Sequence, residues 1–243
     1  SARYRARLLA NARQAGQPLP VALASVAQAG RLVAELPRHW MGAPVPVRWN
    51  GAEHIESAIA SGRGLLFLTP HLGCFEITAQ AYAARFGATH PMTVLYRPSR
   101  QPWLRDLIDH SRERPGLRTA STTLTGLRQL IAARRPGEEL GLLTDQVPPK
   151  ALGVWAPFFG RDAYTMTLSA RLARSADATV LLSWGERLPG GRGYVVHVRP
   201  LDAWLPPEPE GAARVVNQAM ESLVRESPAQ YLWAYDRYKA PRA

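Results

Sequence analysis

Two short runs of apolar residues constrain the fold of this chain more than any other feature of the sequence. They are Leu65-Leu66-Phe67-Leu68-Thr69 and Leu140-Gly141-Leu142-Leu143-Thr144. A strand with one solvated face alternates apolar and polar residues, whereas a continuous apolar run of this length is typical of a strand that is covered on both faces. Both runs are therefore predicted to be central strands of a mainly parallel sheet.

Helical and extended segments alternate along the rest of the chain. Apolar spacing predicts helices at 52–61, 103–112, 125–134, 167–175 and 212–226, and strands at 93–96, 179–184 and 194–198. This alternation is typical of an α/β fold with helices on both faces of the sheet.

The first forty residues form a separate helical pattern. Apolar residues recur at helical spacing over 3–40, with one interruption at Gly16-Gln17-Pro18, which predicts two helices joined by a turn. A length of 243 residues, 46% of them hydrophobic, fits one large domain. We predict a single α/β domain over 1–243, with a mainly parallel sheet flanked by helices and an N-terminal helical pair at 1–42.

The charge and the cysteine count limit the partners. A net charge of +11 favours an acidic partner: anionic lipid headgroups, an acidic carrier protein or nucleic acid. The sequence has no recognition-helix motif, zinc-ligand set or aromatic-basic strand pattern, so nucleic acid is not expected. A lone cysteine, Cys74, excludes an intramolecular disulfide and a Cys-based structural zinc site. No run reaches the ~18 consecutive apolar residues of a spanning helix.

A histidine and a glutamate follow the first apolar run, in Pro70-His71-Leu72-Gly73-Cys74-Phe75-Glu76. Five helical steps separate two side chains by about 140°, so His71 and Glu76 can meet only if His71 precedes the helix or lies at its bend. In that geometry Glu76 would hold one imidazole nitrogen and the other would act as a base toward a hydroxyl. The spacing alone leaves open a structural role, in which His71 is a cap and Glu76 a solvated carboxylate.

Several segments in order carry a resemblance to a known family. The segment from His71 to Glu76 resembles the His-x4-Asp/Glu box of the lipid A late acyltransferases, within the larger lysophospholipid acyltransferase group. Similar blocks follow at Tyr96-Arg97-Pro98, at Thr144-Asp145-Gln146, at Phe158-Phe159-Gly160 with Thr165, and at 228–239 with Arg237. The chain departs from the family pattern at Cys74-Phe75, where Asn-Trp is frequent, and at Tyr235-Asp236, where a basic pair is usual.

The resemblance implies an enzyme that moves a fatty acyl group from an acyl carrier protein thioester, or from coenzyme A, to a hydroxyl of a lipid A precursor. It implies no metal or other cofactor, and a place at the cytoplasmic face of the bacterial inner membrane, reached through an N-terminal segment outside this chain and through the anionic membrane surface. Another glycolipid or a lysophospholipid is the alternative acceptor. A basic, non-catalytic protein that binds membrane or nucleic acid is the alternative class.

Site residues follow from the resemblance and from the basic turn before Gly116. The catalytic pair is His71 and Glu76. Arg97 is expected to stabilise an oxyanion or hold a phosphate, and Asp145 to shape the floor of the site. Phenylalanines and a glycine of the third block are expected to line an acyl channel. The predicted substrate-binding residues are Arg97, Arg112, Arg114, Asp145, Gln146, Phe158, Phe159, Gly160, Thr165 and Arg237.

Overall fold

The computed structural model of the chain describes residues 1–96, 112–121, 139–176 and 178–241. The predicted helix at 125–134 lies outside these residues, and so does nearly all of the one at 103–112. Arg97 also lies outside them.

The described residues form six α-helices and nine strands. The helices are α1 (Ala2–Gln14), α2 (Leu19–Met41), α3 (Ala52–Ala60), α4 (Phe75–Phe86), α5 (Leu168–Ala176) and α6 (Pro209–Glu226). The strands are β1 (Val47–Asn50), β2 (Leu65–Thr69), β3 (Met92–Tyr96), β4 (Leu117–Ser121), β5 (Glu139–Leu143), β6 (Gly153–Phe158), β7 (Arg161–Met166), β8 (Thr179–Arg187) and β9 (Tyr194–Pro200).

Seven strands form one sheet in the order β1-β9-β8-β2-β5-β3-β4. Every neighbouring pair is parallel except β8 and β9. Strands β6 and β7 form a separate antiparallel hairpin. The predicted α/β fold with a mainly parallel sheet, flanking helices and an N-terminal helical pair is therefore confirmed.

The two apolar runs lie at the centre of the sheet, as predicted. All five residues of β2 are buried, and β2 pairs with β8 on one side and β5 on the other. One face of the sheet packs against α3 and α4, where Ile55, Phe67 and Ile77 share a core; the opposite face packs against α1 and α6. Thr69 of β2 lies beside Leu143 of β5, and both are the last residues of their strands. The residues two positions beyond each strand therefore lie close together at the edge of the sheet formed by the carboxyl ends of the strands.

Helix α2 is long and has an apolar composition, although it contains no long uninterrupted apolar run. By length and composition, Leu19–Met41 is the one helix among the described residues that could cross a membrane. Scattered polar residues interrupt its apolar runs, so the criterion of consecutive apolar residues does not select it. In this structure α2 lies against the domain: Glu35 pairs with Arg187 of β8 at 2.7–2.9 Å, and Gln28 accepts a further hydrogen bond from the same guanidinium.

Candidate active site

His71 lies in the bend between β2 and α4, where the sequence predicted it. Gly73 has φ +60°, and a Cβ there would lie 2.0 Å from the carbonyl oxygen of Gly185, so only glycine fits this turn. The bend is fixed from both sides: the Cys74 N–H donates to the Gly185 carbonyl at 2.8 Å, and the Gly73 N–H donates to the Gln230 carbonyl at 3.0 Å. A rigid turn therefore holds the imidazole at the edge of the sheet.

Asp145, which follows β5, binds His71 twice. Its Oδ1 lies 2.7 Å from His71 Nδ1, and its Oδ2 accepts a hydrogen bond from the His71 backbone N–H at 2.9 Å. The register of β2 and β5 brings the two residues together, because each stands two positions beyond paired residues. Both carboxylate oxygens act on the histidine, one on its ring and one on its backbone, so Asp145 fixes the ring orientation.

Glu76 does not hold the imidazole in this structure, which corrects the predicted pairing. Its carboxylate lies 2.6 Å from Arg112 Nη2, and both ring nitrogens of His71 have other partners. The Arg112 guanidinium also lies over the Trp40 ring, 5.3 Å from its centroid. Spacing along the chain could place Glu76 near His71, but it could not reveal that residue 145 stands at the same edge of the sheet.

Asp145 is charged although it is buried. Burial alone would raise the pKa of this carboxyl, but attraction to His71, the two hydrogen bonds from His71 and the charge of Arg237 outweigh burial and lower the pKa below the usual 3.8. Next to it lies the buried Tyr231 phenol, whose own pKa is raised by burial and by the Asp145 charge. Asp145 is thus an anion held in place for an imidazole partner.

The second imidazole nitrogen faces Gln146. In a neutral imidazole whose Nδ1 proton is donated to Asp145, Nε2 carries the lone pair, and the Gln146 side-chain nitrogen lies 3.0 Å from Nε2. The amide therefore donates to the position that a substrate hydroxyl would use. Gln146 is a predicted binding residue that the structure does bring to His71.

An apolar cavity of about 290 Å³ opens at this histidine. His71, Glu76, Arg112 and Gln146 line its polar part. Apolar side chains line the rest along the sheet face that α3 and α4 cover, among them Ile55, Phe67, Tyr82, Met92, Val94 and Leu117. Such a cavity has the character of a site for an alkyl chain, since each buried methylene gains roughly 0.8 kcal/mol.

The third block and Arg237 lie away from this cavity, and their contact with substrate stays a prediction. Phe158, Phe159, Gly160, Thr165 and Arg237 do not line the cavity. Phe158 and Phe159 are buried in the core with α6, and Gly160 is the exposed second residue of the β6–β7 turn. The Arg237 guanidinium donates to the Tyr164 carbonyl and the Thr165 hydroxyl, both at 2.7 Å. These residues attach the hairpin to α6 and the C-terminal segment.

Arg114 contacts the end of α2 and not the cavity, and its contact with substrate stays a prediction. Its guanidinium donates to the His39 carbonyl and, at 3.5 Å, to the Gly42 carbonyl. These carbonyls are at the end of α2, where backbone acceptors lack helical donors and a basic side chain is favourable. Of the two arginines in the basic turn, only Arg112 reaches the cavity.

Sequence reasoning missed part of the support of the site. The Tyr235 hydroxyl accepts a hydrogen bond from the Val147 N–H at 2.9 Å, and Asn11 of α1 donates to the Trp233 and Tyr235 carbonyls. The C-terminal segment therefore holds the loop that carries Asp145 and Gln146. One signal in the sequence did point to the contact between His71 and Asp145: both apolar strands are followed by polar residues, and parallel strands present their carboxyl ends at the same edge of the sheet.

Cys74 is buried and poorly suited to attack a thioester. Its side chain has no exposed surface, its Sγ lies 3.3 Å from His39 Nε2, and burial raises the pKa of the thiol to about 12. Glu35, His39 and Cys74 are close enough to hold a metal ion, but the Glu35 carboxylate already forms a bidentate pair with Arg187. This cluster joins α2 to the bend that carries His71.

We expect Cys74→Ser to keep the rate of acyl transfer within a few-fold of the unsubstituted protein. If the acceptor hydroxyl attacks the donor thioester directly, the reaction makes no use of the Cys74 sulfur. Intact-protein mass spectrometry during turnover should detect no acyl group on Cys74. A kinetically competent acyl-thioester at this residue would replace direct attack with a two-step mechanism.

Comparison with known proteins gives a consistent family match. The family model for bacterial lipid A biosynthesis acyltransferases matches residues 13–240. The chain is 30% identical over 199 residues to the lipid A biosynthesis lauroyltransferase of Escherichia coli K12, covering 79% of this chain and 62% of that protein. It is 27% identical over 183 residues to the lipid A biosynthesis acyltransferase of Haemophilus influenzae Rd, covering 75% and 56%.

A third relative, the lipid A biosynthesis palmitoleoyltransferase of Escherichia coli K12, is 24% identical over 193 residues, with 78% of this chain and 60% of the relative covered. The matched region is thus less than two thirds of the length of these curated relatives. The family model nevertheless covers nearly the whole of this chain, including the bend, the strand ends and the C-terminal segment that build the site. The chain belongs to the bacterial lipid A biosynthesis acyltransferase family.

Proposed function

We propose that this chain transfers a fatty acyl group from an acyl carrier protein thioester to a hydroxyl of a lipid A precursor at a membrane surface. The observation that carries the proposal is an imidazole, oriented by a buried carboxylate, at the polar end of an apolar cavity. The cavity suits the acyl chain, and the imidazole suits the activation of a hydroxyl. The relatives contribute the acceptor class, because their names refer to lipid A biosynthesis.

In the proposed reaction His71 Nε2 removes the proton of the acceptor hydroxyl, and the hydroxyl oxygen attacks the thioester carbonyl carbon at the same time. Asp145 keeps the proton on Nδ1 and stabilises the imidazolium. The tetrahedral intermediate then collapses, the carbon–sulfur bond breaks, and the imidazolium returns its proton to the leaving thiolate. The products are an ester and a thiol. Every proton is carried by His71, so this scheme uses no metal or redox cofactor.

Two arginines are among the described residues that line the cavity, Arg112 and Arg171, and the Arg112 guanidinium pairs with Glu76. Held by Glu76, it is positioned to stabilise either the developing oxyanion or a phosphate of the acceptor. Gln146 must release Nε2 before a substrate hydroxyl can bind there, and its amide could then contact the acceptor. Arg97 keeps its predicted role in charge stabilisation as a sequence-based proposal.

Helix α2 supports the membrane-surface part of the proposal because it exposes a stripe of apolar residues, while Leu32 on its other side packs in the core. The side facing the domain also carries the polar residues Ser25, Gln28, Glu35 and His39. The side facing outward carries large apolar residues that are 44–67% exposed: Leu19, Leu23, Val26, Val33 and Met41. A helix that exposes such an apolar stripe has a natural partner in a bilayer, where it would lie in the interface.

The charge near this surface favours anionic lipid. The exposed side of α2 includes Arg31 and Arg38 and no acidic residue, and Arg3, Arg5 and Arg13 are exposed on the neighbouring α1. Basic side chains flanking an apolar surface strengthen binding to anionic headgroups. The same excess of positive charge would assist the approach of an acidic carrier protein.

We expect Leu23→Glu and Val33→Glu each to lower the affinity for vesicles containing anionic lipid by about tenfold. Each removes apolar area that would be buried in the bilayer and places a carboxylate among the anionic headgroups. Vesicle co-sedimentation across a salt series measures this, and high salt should weaken binding further. The matched control is Trp204→Glu, which changes an exposed residue outside α2. Equal binding by all four proteins would show that α2 is not the membrane surface.

The proposal as a whole is tested by product analysis. The protein is incubated with a donor, either an acyl carrier protein thioester or acyl coenzyme A, together with one acceptor. The acceptors, each in its own reaction, are a lipid A precursor, another glycolipid and a lysophospholipid. Mass spectrometry of the lipids should show one acyl group added to the lipid A precursor. Addition only to another acceptor would reassign the substrate, and salt-dependent DNA binding without any acylated product would favour the non-catalytic alternative.

A further inference from the structure

Gly141 is an unexpected residue for its position. It stands in the middle of the central strand β5, it is buried, and its φ is not in the left-handed region, so the backbone does not require glycine. Glycine within a strand costs conformational entropy and contributes no side-chain packing, and it often marks a place where a ligand approaches the sheet. The absence of a side chain here calls for an explanation in terms of space.

Gly141 borders the cavity, and the Val94 side chain lies close to the place that a Cβ at position 141 would take. Gly141 is in register with Phe67 of β2 and Val94 of β3, and these three residues form one row across the sheet face that α4 covers. A Cβ at position 141 would lie 3.0 Å from Val94 Cγ1 and 3.4 Å from Met92 Sδ. Its three nearest atoms all belong to β3 and none to α4. All three residues of the row line the cavity.

We propose that Gly141 sets the acyl chain length that the enzyme accepts, by leaving room for the chain between the sheet and α4. The inference rests on the proposed function. The row of Gly141 would contact the alkyl chain of the donor, because it lies two residues before the paired strand ends at Thr69 and Leu143. A side chain at 141 would project into the path of the chain, whereas a smaller side chain at 94 would widen it.

Opposite substitutions in the row should shift the preference in opposite directions. Gly141→Ala and Gly141→Val should move the optimum toward shorter donors, and Val94→Ala should move it toward longer ones. Each methylene that loses its apolar contacts should lower kcat/KM about fourfold, because burial of one methylene contributes about 0.8 kcal/mol and 1.4 kcal/mol is a factor of ten. A general packing defect would lower all rates without reordering the donors.

The test measures kcat/KM for acyl carrier protein thioesters of increasing chain length with the unsubstituted protein and these three variants. Gly64→Ala is the matched control, since Gly64 precedes β2, lies outside the cavity and has no atom within 4 Å of an added Cβ. It should keep the original order of donors. An unchanged optimum in all three row variants would overturn the inference.

A binding measurement separates this inference from the proposed function. Free fatty acids of the same lengths are added to each protein, and the rise in melting temperature is recorded. Gly141→Val should lose stabilisation by the longer acids while keeping it for the shorter ones, whether or not the protein transfers acyl groups. Length-dependent binding without transfer would reject the function alone. If the unsubstituted protein and Gly141→Val show the same rise in melting temperature with every acid, the role of Gly141 is rejected, even if the protein transfers acyl groups.

Discussion

Replacing His71 with alanine should lower the rate of acyl transfer by about 10²–10⁴-fold or more, because the hydroxyl then lacks its general base and the leaving thiolate its proton donor. The measurement is the initial rate of acylated lipid formation. Since the substitution also leaves the buried Asp145 charge without its main partner, loss of stability could imitate loss of the base.

A second variant removes this ambiguity. In His71→Asn the amide can still donate a hydrogen bond toward Asp145, but it cannot take up a proton. We expect His71→Asn to melt closer to the unsubstituted protein than His71→Ala does, and both variants to lose transfer activity by about 10²–10⁴-fold or more. Substantial turnover by either folded variant would defeat the proposed mechanism.

Asp145→Asn should have the second largest effect, a loss of about 10²–10⁴-fold in kcat with a smaller change in KM, because an amide no longer fixes the proton on Nδ1 and no longer stabilises the imidazolium. The comparison is Glu76→Gln, which breaks the ion pair with Arg112 and leaves the His71 contacts in place. If Glu76→Gln abolished turnover while Asp145→Asn left it near normal, Glu76 and not Asp145 would orient the imidazole during catalysis.

The same substitution has a pH signature. The folded-state pKa of Asp145 is lowered below 3.8, so the stabilisation that its charge contributes is present above that pH and is lost as the pH falls through the lower folded value. The free energy of unfolding of the unsubstituted protein should therefore exceed that of Asp145→Asn at neutral pH, and the difference should shrink in strong acid. A difference that is constant across this range would contradict the charged, His71-bound state of Asp145.

Local sequence patterns were sufficient for the elements whose physical cause is local. The apolar runs identified β2 and β5, and periodicity identified α2 and α6, because burial on both faces or on one side of a helix leaves a direct trace in the sequence. Strand β4 and the β6–β7 hairpin were missed. The hairpin turns at Phe159-Gly160, both with positive φ, and phenylalanine is not a residue that signals such a turn.

By itself the sequence determined the class of fold, the bend that carries His71, and the family. Only the tertiary structure decided which carboxylate meets the imidazole. His71 and Asp145 are separated by 74 residues, and their contact depends on β2 and β5 lying side by side in one register. The same is true of Phe158, Thr165 and Arg237: their residue types suggested a substrate site, but packing against α6 buries them away from the cavity. Spacing along the chain governs contacts within an element, whereas contacts between elements depend on how the strands pair and the helices pack.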